Sequence, residues 1–258
     1  MSIIKEKFNY LPGTYVKKRP SIAQQASQYI QQWENREMER KAANRVSVVM
    51  PPTICFSRKI GIGALEIAAM VVEKIGCRVA DRLIIEQIAS DSELSQKTVH
   101  FFDERYPGKM TEFAALLFGE KSFIMSDFTR RLFSTVYTLA EAEPTIFVGR
   151  GTHLILPREN VLAVRCISSR EFRTKRVADI LNVTENVARK ELNKADAEQR
   201  KFFKKAYGKK DAAPNEFDLI INCDFMNNPE WAAEIVCQAF MTKFPTTAAS
   251  LPEEKEVA

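Results

Sequence analysis

Apolar positions change their period along the chain. Between Ile22 and Trp33 they fall at Ile22, Ala26, Tyr29/Ile30 and Trp33, three or four apart, so they form one stripe on one helix face. Ser21 stands ahead of that stripe as an N-cap, and the helix it opens is expected to run to about Arg45. After Pro51-Pro52, short apolar runs alternate with helical stretches. Thr53–Phe56 reads as a buried strand, Ala64–Ile75 as a helix stopped by Gly76, and Cys77–Ala80 as a second strand. Helices dominate from Asp81 to about Ala142, with breaks near Ser90–Ser95 and Tyr106–Met110. Thr145–Val148 and Val161–Ile167 read as strands, Ser168–Leu181 and Thr184–Tyr207 as helices. Phe217–Cys223 is the fifth strand and Pro229–Phe244 the last helix.

Five short apolar strands separated by helices imply an α/β fold, a five-stranded parallel sheet with helices on both faces. The expected division is an N-terminal extension with an amphipathic helix (1–48), an α/β domain (49–244) and a tail (245–258). The extension holds a turn signal, Pro12-Gly13, and a basic cluster, Lys17-Lys18-Arg19. Its helix packs either on its own domain or against a second copy or protein partner. In such folds ligands bind at the carboxyl ends of the strands, beside helix N-termini. The segments following the strands therefore hold the candidate chemistry.

Composition narrows the class. With 258 residues, 45% hydrophobic and 28% charged, the chain is neither disordered, collagenous nor a disulfide scaffold. Five cysteines without a C-x-x-C pair read as buried hydrophobes in a reducing compartment. Two histidines and no Cys/His cluster leave no zinc site. No signal peptide is expected at the start. The most apolar windows, Leu65–Val72 and Ile146–Leu156, are too short for a bilayer and contain Glu66 and Arg150. A cytoplasmic protein with no membrane partner is expected.

The turn after the first strand, Ser57-Arg58-Lys59-Ile60-Gly61-Ile62-Gly63-Ala64, has the strand–glycine loop–helix arrangement that aims backbone N–H groups at phosphate. It is not a Walker A sequence: Ala64 and Leu65 stand where that motif has Lys and Ser/Thr. Arg58 or Lys59 would have to supply the missing cation. On spacing alone, a phosphate loop and a plain tight turn both stay open.

At these residues the chain resembles the cytidylate kinase-like family, a branch of the P-loop nucleoside monophosphate kinases. Ser57-Arg58 with Gly61-Ile62-Gly63 looks like that family's S-R-x-x-G-S-G-G. Val79–Ile85, Phe147–Gly151 with Leu154–Leu156, Arg173–Arg176, Asp196/Arg200 with Phe202-Phe203, and Phe217–Asn222 continue the likeness in order over roughly 53–240. The resemblance implies a five-stranded P-loop kinase core with a helical insertion for the acceptor nucleotide and a mobile lid. It implies ATP as donor and Mg2+ held through the nucleotide phosphates rather than by protein ligands. Ser57, Gly61, Ile62, Gly63 and Ala64 are then the phosphate loop, Arg58, Lys59, Asp196 and Arg200 the catalytic groups. Asp81 and Arg150 bind the acceptor, and Arg173 and Arg176 belong to the lid.

The chemistry agrees, because phosphoryl transfer needs positioning and positive charge more than covalent work. Arginine forks bind phosphate oxygens in bidentate fashion. Plainer readings stand beside each assignment: Arg150 as a carboxylate's partner, Asp81 as an N-cap, Asp196/Arg200 as an i,i+4 ion pair. Ile62 and Ala64 also replace small or glycine positions of the family loop, and Glu86 and Gln87 stand where true cytidylate kinases carry a basic residue. The resulting readings are a kinase acting on CMP or a related acceptor, and a catalytically impaired nucleotide-binding or regulatory protein. A third is a nucleic-acid binder using 189–210, with Phe202, Phe203 and Tyr207 stacking on bases. That segment holds nine Lys/Arg and three acids, so the net charge of +5 is concentrated there. Under the resemblance, this favours a lid-side anion site over a nucleic-acid coat.

Overall fold

In a computed structural model of the chain, residues 21–42, 50–118 and 126–245 are described. The Pro12-Gly13 turn, the Lys17–Arg19 cluster, the end of the first helix near Arg45 and the tail beyond Pro245 lie outside them. Five strands, β1 (Thr53–Arg58), β2 (Arg78–Asp81), β3 (Thr145–Val148), β4 (Val161–Ile167) and β5 (Leu219–Asn222), form one parallel sheet in the order β2-β3-β1-β4-β5. β1 is central, with Ile54 opposite Ile146 on β3 and Leu162 on β4.

Helices cover both faces, which is why the strands read as continuous apolar runs instead of alternating ones. Ile54, Phe56, Ile146, Val148, Leu162 and Val164 point to one side, against α2 (Ala64–Ile75) and the C-terminal helix Pro229–Lys243. Cys55, Phe147 and Ala163 point to the other. There they meet α1 (Ile22–Ala42) and the insertion between β2 and β3. That insertion comprises α3 (Arg82–Ser90), α4 (Ser92–Arg105), α5 (Lys109–Phe118) and α6 (Asp127–Ala142). Asp91 both ends α3 and N-caps α4, accepting from the N–H groups of Glu93 and Leu94. This local competition for backbone donors breaks the helix near Ser90–Ser95.

The apolar stripe of α1 faces inward. Ala26, Ile30 and Trp33 are buried, the Tyr29 hydroxyl donates to the Val79 carbonyl at 3.0 Å, and Arg36 pairs with Glu143 at 2.7 Å. The stripe is thus used within the chain. After β4 come α7 (Arg170–Leu181), α8 (Glu185–Tyr207), β5 and α9 (Pro229–Lys243).

Three strands differ from their expected bounds. β1 continues through Ser57 and Arg58, because Arg58 pairs with Cys166 on β4 and keeps the strand in register. β2 starts and ends one residue later than expected. β5 begins only at Leu219, because Pro214–Glu216 form a 3-10 turn that carries Phe217 away from the ladder. All five cysteines are buried and free; burial pushes the Cys55 and Cys77 thiols up to about 12. No helix among the described residues is long and apolar enough to cross a membrane.

Candidate active site

The loop Lys59–Gly63 leaves the carboxyl end of the central strand and enters α2. Gly61 (φ +89°) and Gly63 (φ +98°) are both left-handed, a region that favours glycine. Gly63 caps α2 without a side chain, so the opening N–H groups of that helix have no side-chain acceptor. By contrast Asp81, Ser126, Ser169 and Asn228 cap α3, α6, α7 and α9 through their side chains. An uncapped helix start behind two left-handed glycines suits an anion.

The side chains around the loop are more restrictive. Ile62, Ala64 and Leu65 are buried in the core beneath it and contribute no polar group. Above it lie α7 and α8. A Cβ on Gly61 would stand 2.9 Å from Val177 and 3.3 Å from Leu192. Ile60, Val177, Ala178, Leu181, Ala188 and Leu192 form a small apolar cluster that joins the loop to α7 and α8. The Arg173 guanidinium, 4% exposed, donates to both Asp196 oxygens at 2.9 Å and to the Ile60 carbonyl at 3.2 Å. Gln199 donates to the Arg58 carbonyl at 3.0 Å. Arg173 and Asp196 therefore fasten α7 and α8 to each other and to the loop.

Arg176 reaches back to Glu66, in the first turn of α2, at 2.5 Å. Both groups hang over Gly63: a Cβ there would lie 3.1 Å from the Glu66 carboxylate and 3.3 Å from Arg176. The chain thus puts a carboxylate and its partner cation at the mouth of the loop.

Asp81 is buried at the end of β2 and accepts from the N–H groups of Leu83 and Ile84, capping α3. Arg150 follows β3 in a left-handed conformation (φ 58°), pairs with Glu86 and lies 4.1 Å above the Phe202 ring. Burial pulls its pKa down, and the Glu86 carboxylate opposes that pull. Gly151 is overlaid by Tyr207, whose hydroxyl donates to the Arg150 carbonyl. Ser57 receives a 3.3 Å hydrogen bond from Arg165 on β4, which also forks onto Asp211. Arg58 is 9% exposed; Lys59 is half-buried and makes no hydrogen bond or ion pair with another described residue. Arg200 stands exposed on α8.

The structure therefore brings Gly61, Gly63, Arg58, Arg173, Arg176 and Asp196 together at one end of β1. Asp81 and Arg150 stand at the ends of β2 and β3, and Arg200 lies on the outer side of α8. Sequence reading missed Glu66, Glu86, Arg165 and Gln199. Nothing local marks them, since each acts through a partner at least 60 residues away. The basic segment also differs from expectation. The loop-facing side of α8 carries Leu192, Asp196 and Gln199, whereas Arg189, Lys190, Lys194, Arg200, Lys201, Lys204 and Lys205 are all exposed. Phe203 and Tyr207, which only the nucleic-acid reading would stack on bases, are buried in the core.

The donor set fits the phosphates of a nucleotide through backbone N–H groups and arginines. Leu65, standing where a Walker motif carries its Mg2+-ligating hydroxyl, has no oxygen, and no three His, Cys, Asp or Glu cluster among the described residues.

The family model of the cytidylate kinase-like family matches residues 53–224. No curated protein matches the sequence. Among solved structures, an uncharacterized protein from Eubacterium ventriosum is similar at 19% identity and TM-score 0.57, covering 74% of this chain and 98% of that one. A shikimate kinase from Bacteroides thetaiotaomicron aligns at 14% identity and TM-score 0.39, covering 74% and 97%.

Proposed function

The chain belongs to the cytidylate kinase-like family, and from that premise we propose that it transfers a phosphoryl group from ATP to a small phosphate-bearing acceptor, a nucleoside monophosphate such as CMP. The observation that carries this reading is the uncapped N-terminus of α2 behind Gly61 and Gly63, at the end of the central strand and under Arg173 and Arg176. In this reading the N–H groups of the loop and α2 hold the donor phosphates. Arg176 exchanges its Glu66 partner for a phosphate oxygen, which is the charge placement a phosphoryl transition state needs. Arg173 and Asp196 hold the lid in position instead of touching substrate. Arg150 offers its guanidinium to the acceptor phosphate after parting from Glu86.

A second reading, nucleotide binding without turnover, is favoured by the burial of Ala64 and Leu65 where a Walker motif carries its lysine and hydroxyl. Purified protein given ATP, Mg2+ and each nucleoside monophosphate in turn separates the two. Acceptor-dependent ADP formation supports the kinase. Calorimetric binding of ATP with no ADP formed supports the binder, and absence of both removes nucleotides from the account.

A further inference from the structure

We infer that the outer face of α8 is a docking surface for the phosphate backbone of a nucleic acid, independent of the loop. Lys190, Lys194, Lys201 and Lys205 follow one another at steps of four, seven and four residues, so they share one helical face. Lys204 lies beside them, and all five are exposed. The row spans about 22 Å at 1.5 Å per residue. None of these five makes an ion pair with another described residue; Arg189, at the margin, is held by Glu185 at 3.9 Å. Glu198 lies on this face and Glu191 at its margin, while Asp196 is turned inward onto Arg173. The opposite side of the helix is committed to the protein through Ala188, Leu192, Phe203 and Ala206. Leu192, Asp196 and Gln199 occupy the side of the helix that faces the loop, and the lysines stand on another side.

The chemistry of the row selects the partner. A helix that lies on a bilayer needs large apolar groups along its exposed side, and this face offers only Val187 at its beginning. Lysines are mobile point charges that suit a line of phosphates without demanding a fixed geometry. With Phe203 and Tyr207 buried and Phe202 beneath Arg150, no ring on α8 is free to stack on bases. Binding therefore reads backbone charge and not sequence.

The test is fluorescence anisotropy with labelled 20-base-pair duplexes of two unrelated sequences, across a salt series. A wild-type chain should bind both equally, with log K falling by about four per tenfold rise in salt, the slope for four to five neutralised phosphates. The variant K190Q/K194Q/K201Q/K205Q should lose at least about tenfold in affinity at low salt and keep its melting temperature and ATP binding. No duplex binding at low salt, equal binding by the variant, or retention only on vesicles of anionic lipid would each overturn the inference.

Discussion

Arg176 and Glu66 meet at 2.5 Å across the face of Gly63, joining α7 to the first turn of α2. In the proposed reading a phosphate at the start of α2 displaces this carboxylate, so Glu66 competes with ligand while Arg176 serves it.

Glu66→Gln should therefore tighten ATP binding by about three- to tenfold, because it removes one negative charge at the loop. Arg176→Ala should weaken it. The pair is partly exposed, so either change should alter stability by less than about 1 kcal/mol. Titration calorimetry alongside a melting curve measures both effects. Loss of affinity in Glu66→Gln would mean that the carboxylate holds ligand rather than competing with it.

Arg173 and Asp196 are buried enough to behave differently. Removing one partner strands a charge, so Arg173→Ala or Asp196→Ala should each destabilise the chain by about 3 kcal/mol. Arg173→Met with Asp196→Leu should recover most of that loss. Denaturant titration of the single and double variants gives the comparison.

Gly151→Ala tests the packing of α8 on the end of β3. The added Cβ would stand 2.8 Å from the Tyr207 ring at a residue with φ +68°. Strain and overpacking together should cost about 2–4 kcal/mol, read as a lowered melting temperature.

His153 makes stability depend on pH. Burial lowers its pKa to about 4, against the opposing pull of Glu216, with Lys209 and Arg165 adding to the lowering. The unfolded chain takes up this proton near pH 6.5 and the folded chain only near 4, so folding releases it between those values. Stability should fall as pH drops from 6.5 to 4, by about 2–3 kcal/mol from this group. His153→Gln should flatten that part of the profile in urea melts taken at successive pH values.

The order of elements was legible because each boundary has a local signal: Gly76 ends α2, Asp91 divides α3 from α4, and Pro229 opens α9. The glycines of the loop were legible for the same reason, since the left-handed conformation is a property of single residues. What stayed hidden depends on distant partners. Arg173 and Arg176 share a helix and a sequence motif, yet one is locked to Asp196 and the other to Glu66. The basic segment 189–210 showed its charge but not its direction, because the buried face of α8 is decided by Leu192, Ala188 and Phe203 packing across the fold. The edge position of β5 likewise follows from sheet order, which the alternation of elements leaves undetermined.

Acceptor-dependent ADP formation from ATP by the full chain decides whether the loop transfers phosphate. A nucleoside monophosphate should stimulate ADP release, and Arg176→Ala should lower the rate by about 100-fold while the melting temperature stays within a few degrees. ADP release that no monophosphate stimulates, or a rate unchanged in Arg176→Ala, would contradict transfer at this loop.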